Sequence, residues 1–135
     1  MSNFAHITLQ KVIFETLNAD DSLLGLSTGV YENPAPVIAF PYITLGELTA
    51  MDWSTKTTRG LQIVVPIHAY SQVSKKEVIE ILDRVFDLLQ SGGFDLEGHE
   101  LIAMRFEYNE IGLEPDGITY HGVIRFRAYT EAVPA

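Results

Sequence analysis

The chain has 135 residues and 15.1 kDa, 47% of them apolar and 20% charged, which suits one domain with its own core. Eighteen acids against nine bases give a net charge of −9, and that surplus disfavours non-specific adhesion to nucleic acid or anionic lipid. The absence of cysteine excludes disulfides, iron–sulfur clusters and thiolate zinc sites.

No stretch approaches the roughly 20 apolar residues that cross a bilayer, and residues 1–7 lack the pattern of a secretory leader. Phe4, Ile7, Val12, Ile13 and Leu17 recur at helical spacing and predict an amphipathic helix over 3–18. Asp20, Asp21 and Ser22 then cap a short turn through Leu23 and Leu24, ended by Gly25 and Gly29. Val30-Tyr31-Glu32 reads as a brief strand, and Asn33-Pro34-Ala35-Pro36 as irregular. Strands are predicted over 41–48 and 59–70, both rich in Ile, Val, Tyr and Thr. Residues 49–58 between them form a long connection for a hairpin. Pro66 cannot donate to a ladder, so its strand is expected at an edge there, or bulged.

The clearest helix spans 74–90. Ser74 and Glu77 make a Ser-x-x-Glu capping pattern, and Val78, Ile81, Leu82, Val85, Phe86 and Leu89 form one apolar stripe. Ser91-Gly92-Gly93 stops it. Glu114-Pro115-Asp116-Gly117 suits a type I turn closing a three-residue hairpin loop, in which Glu114 pairs with Ile118. Counting outward sets Phe106 opposite Phe126, Tyr108 opposite Ile124, Met104 opposite Ala128, Glu107 opposite Arg125 and Arg105 opposite Arg127. Apolar pairs then share one face and charged pairs the other. Helix, strands, helix and long C-terminal hairpin predict a single α+β domain over 1–135. Its sheet is largely antiparallel, with two main helices packed on one face.

Chemistry-bearing motifs are scarce. His6, His68, His99 and His121 show no metal-ligand spacing and read as surface or sheet-face residues. Neither a Gly-x-Ser-x-Gly elbow nor a phosphate-cradling glycine loop is present. Glu80, Asp83 and Asp87 read as a solvated helix face around Arg84. No catalytic residue, metal ligand or cofactor is assigned.

Two features suit protein contacts instead. Arg105, Arg125 and Arg127 cluster on the outward sheet face, where Glu107 serves one of them and a carboxylate of a neighbouring subunit could serve another. Trp53, the only tryptophan, sits in the long loop beside Asp52, Lys56 and Arg59, either as an anchor for a partner or as a staple for its own loop.

Asp52-Trp53-Ser54-Thr55-Lys56-Thr57, and the run from Glu114 through Gly117, Tyr120, His121, Arg125 and Arg127 to Glu131, together resemble the tail terminators of long-tailed phages and related gene transfer agents. The resemblance spans nearly the whole chain. It implies a non-enzymatic virion protein, assembled in the bacterial host cytoplasm. Such a protein forms a homohexameric ring on the head-proximal end of the tail tube. The ring stops tube polymerisation and meets the head-side connector. DNA would pass through it without specific binding, and no membrane is involved. A head-closure or adaptor protein of the neck is the neighbouring alternative, and a small ligand-binding domain or enzyme the distant one.

Overall fold

The computed structural model describes residues 4–32 and 38–133, so the predicted irregular segment 33–36 lies outside the described residues. Three helices, α1 (Ala5–Asn18), α2 (Asp21–Leu26) and α3 (Lys75–Leu89), accompany six strands. These are β1 (Val30–Tyr31), β2 (Tyr42–Leu45), β3 (Thr49–Asp52), β4 (Gly60–Ser71), β5 (His99–Leu113) and β6 (Tyr120–Ala132). The sheet runs β1-β2-β4-β6-β5, with β3 also on β4; only β1 and β2 are parallel. This is the expected α+β architecture.

The helices form where apolar spacing and caps coincide. In α1 the buried stripe is Ala5, Leu9, Ile13 and Leu17, four residues apart, while the predicted Phe4 and Ile7 are each 57% exposed. Asp20 caps α2 by accepting from Leu23 N at 3.0 Å; Gly25 lies inside that helix and Ser27 ends it. The same carboxylate takes two hydrogen bonds from Arg84 of α3, at 2.6 and 2.9 Å. Arg84 is therefore a tie between helices, and not merely one member of a solvated face. At the start of α3, Ser74 Oγ accepts from Glu77 N, but Glu77 does not return the bond. Its carboxylate instead accepts from Ser71 Oγ, and Ser71 Oγ takes the Ser74 amide. The capping pattern is thus completed through a third residue.

The core lies between the helices and one sheet face. Ile63, Val65, Ile67 and Ala69 of β4 and Ile124, Phe126 and Ala128 of β6 alternate inward against α1 and α3. Gly122 keeps the approach of α3 close, since a Cβ there would lie 2.5 Å from Val78 Cγ1 and 2.8 Å from Leu82 Cδ1.

The connection predicted over 49–58 is shorter than expected, because Thr49–Asp52 pairs with residues 61–64 as β3. All four β3 residues are exposed, so no burial alternation marks them as a strand. Pro66 stands in a central strand, paired with Arg125 of β6. On the other side β2 pairs only with 67–70 and β3 only with 61–64, leaving a gap at Pro66. Its carbonyl accepts from Gly46 N at 2.9 Å on that side. The N and O of a strand residue face the same way, so the missing donor meets the gap.

The hairpin of β5 and β6 matches the expected register in its middle, with Met104↔Ala128, Arg105↔Arg127 and Phe106↔Phe126, while a shift at Ile102 moves the base pairs His99↔Ala132 to Leu101↔Thr130 by one residue. Glu107 is then bulged out, and the pairs nearer the turn become Tyr108↔Arg125, Asn109↔Ile124 and Leu113↔Tyr120. Tyr108 therefore faces outward, where the Arg125 guanidinium lies 4.4 Å from its ring centre. The turn explains the shift. Glu114 N donates to Thr119 O, so Glu114 stands opposite Thr119, not Ile118. The Asp116 carboxylate accepts from the Ile118 and Thr119 amides and the Thr119 hydroxyl, drawing a fourth residue into the loop.

Candidate interaction surface

The sheet face opposite the helices has no covering layer among the described residues, and its side chains on β4 and β6 are half-buried. On β6 that face presents His121, Val123, Arg125, Arg127 and Tyr129. The Glu107 bulge supplies the pivot. Its two carboxylate oxygens each accept from one arginine, Arg125 Nε and Arg127 Nε, both at 2.5 Å. One acid thus neutralises two bases, and the Arg127 hydrogen bond above all holds the Glu107 carboxyl below its usual range. Arg105, exposed on the same face, has no ion pair among the described residues.

The loop at 53–59 holds itself. Trp53 N donates to Gly60 O, Ser54 Oγ donates to Asp52 and accepts from Gly60 N, and Thr55 Oγ1 accepts from the Thr57 and Thr58 amides. Trp53 rests on Tyr129, ring centres 4.9 Å apart, and stays 39% exposed. Trp53 thus staples its own loop while part of its ring stays exposed. Tyr129 joins Trp53 to the arginines along β6, a link the sequence alone did not reveal.

The eight predicted residues do not form one cluster. Trp53, Arg105, Glu107, Arg125 and Arg127 share the open face. Asp52 and Arg59 instead line a small cleft of about 110 Å³ with Leu61, His99 and Thr130. Lys56 is exposed in the loop between them.

A second outward cluster escaped prediction. His68 Nδ1 and His121 Nε2 are 2.8 Å apart, and His121 Nδ1 is 2.7 Å from Glu114 Oε1. Tyr70 stacks on His121 at 4.4 Å and on Tyr42 at 4.9 Å. Burial, then the neighbouring His121, pushes the His68 pKa below that of a free imidazole. Sequence spacing could not bring His68 to His121; only the Tyr70↔His121 pairing does. Among the described residues, no group of three or more His, Asp or Glu is placed to hold a metal ion. No helix among them is long and apolar enough to cross a membrane.

The geometry defines an α+β protein with an extended, charged and aromatic sheet face suited to macromolecular contact. Residues 11–131 match the family model described as Tail completion protein gp17, and the chain belongs to that family, whose role is structural, in tail assembly. It is 27% identical to Tail completion protein gp17 of Bacillus phage SPP1 over 119 residues, which is 88% of this chain and 89% of that protein. Among solved structures it resembles a chain in the virion of a native gene transfer agent particle, with TM-score 0.88 and 24% identity over 97% of this chain and 100% of that one. The structure of bacteriophage SPP1 gp17 aligns with TM-score 0.64 and 22% identity, covering 98% of this chain and 97% of that one.

Proposed function

We propose that this chain is a tail terminator, acting without catalysis as a homohexameric ring on the head-proximal end of the tail tube. There it ends tube growth and receives the head-side connector. The observation that carries this reading is the open sheet face, where Trp53, Tyr129, Arg127, Glu107 and Arg125 run continuously with no helix over them among the described residues. A face of this kind, aromatic at one end and carrying Arg105 with no ion pair among the described residues, suits a protein partner that offers it a carboxylate. A closed ring needs two different surfaces per subunit, and a sheet with unlike free edges supplies them.

Six copies of a −9 chain total −54, so an acidic channel would let DNA pass without adhesion. A channel lined mainly by Lys and Arg would contradict that part. The decisive experiment is electron microscopy of particles made without this gene. Tails of undefined length, or full heads lacking tails, are expected. Normal particles would reject the proposal.

A further inference from the structure

We infer that the groove between α3 and β5 receives the loop joining β3 to β4 of a second copy of this chain. This deepens the ring reading and rests on it, naming which two surfaces meet. The groove measures about 450 Å³ and is walled by Ile79 and Phe86 of α3, Phe106 and Ile111 of β5, and Ile124 of β6. Ile79 and Phe106 remain 40% and 44% exposed, an apolar opening beside an edge strand with no partner on its outer side among the described residues.

Charge selects the occupant. Asp83 lines the groove, and Asp87 stands exposed one turn further along α3, giving an apolar floor with acid along its helix side. The loop at 53–59 carries the complement, with Lys56 and Arg59 both exposed and in no ion pair among the described residues. Three of the other basic residues, Arg84, Arg125 and Arg127, are already tied to Asp20 and Glu107. Beside the loop, Met51 is 60% exposed and Trp53 39%, supplying apolar contact. Topology makes the pairing head-to-tail. β3 and β5 lie on opposite sides of the β4–β6 pair, three strand spacings or roughly 14 Å apart. One subunit's loop cannot fill its own groove, but successive copies satisfy each other in turn, which is the condition for a closed ring.

The cysteine-free sequence permits a clean test. Full-length chains carrying Lys56→Cys or Asp83→Cys are co-produced in cells assembling the particle, and purified tails are oxidised. Disulfide-linked dimers containing one chain of each kind are expected, and Ile79→Glu, a change at a half-exposed site, should abolish them. Lys56→Glu should likewise weaken incorporation into tails, and Asp83→Lys in the same chain should restore it. If an amine cross-linker joins copies in the tail while the two cysteines never pair, the docking inference is overturned and the ring survives. If no reagent joins two copies, the ring reading fails and the docking with it.

Discussion

Replacing Gly122 with alanine should push α3 away from the sheet. The added Cβ would stand 2.5 Å from Val78 Cγ1, so about 0.9 Å must be found to reach ordinary contact. Val78 is buried and β-branched in a helix, with one strongly preferred rotamer, so it cannot swing aside. Leu82 Cδ1, at 2.8 Å, is the free end of a flexible side chain and yields more cheaply. The helix must therefore shift, and overpacking of this kind costs about 2 kcal/mol. For a domain of this size that lowers the melting temperature by roughly 8 °C. Thermal and urea unfolding followed by circular dichroism would measure it. Val78→Ala alone should also destabilise, by about 2 kcal/mol through the cavity it leaves. Combined with Gly122→Ala it should lose much less than the sum, a coupling of about 1–2 kcal/mol. Strict additivity, or a Gly122→Ala melt indistinguishable from the parent, would refute close packing of α3 as the reason for glycine here.

Trp53→Ala should fold but lose about 2 kcal/mol, since its ring is only partly covered and rests on Tyr129; tail joining should fail while the melt stays cooperative. Complete loss of folded protein would show that the staple role alone matters. Arg105→Glu should change monomer stability by less than about 0.5 kcal/mol, because Arg105 holds no ion pair among the described residues, yet reduce incorporation into tails. Undiminished incorporation would remove the arginine face from the assembly contacts. Acid should destabilise the fold in two stages. The His68 pKa is lowered, so the stability it contributes is complete above the unfolded value near 6.5 and falls as pH drops below it. Asp20, Glu107 and Asp116 are lowered by their hydrogen-bond partners, so their contribution holds above about pH 4 and is lost below. Stability that stays flat between pH 7 and 5 would exclude the histidine part, which His68→Gln should flatten if it is correct.

What could be read in advance follows physical lines. α3 was legible because its apolar stripe and its Ser74 cap are local signals that agree. The middle of the β5–β6 hairpin was legible because Phe106 and Phe126 must share the inward face. Its tip was not, since the Asp116 carboxylate clamps a four-residue loop, a preference set by side-chain hydrogen bonds that the binary pattern does not record. β3 was hidden by its own exposure. Of the candidate surface, the arginines share one face as the alternation implied, but Glu107 reaches both Arg125 and Arg127 because it is bulged out of the ladder. The contacts Trp53–Tyr129 and His68–His121 depend on long-range pairing and left no trace in spacing.

The unpaired Glu107 sets the distal arm of the hairpin one residue out of phase with the stretch from Ala103 to Phe106. Changes of length in the 114–119 turn can be absorbed at that joint without turning Phe106 and Met104 away from the helix side of the sheet. The distal arm is thus free to vary in reach while the proximal arm stays seated. Relatives that must fit neighbours of different height could adjust the arm alone, and leave the buried Phe126 and Ala128 untouched.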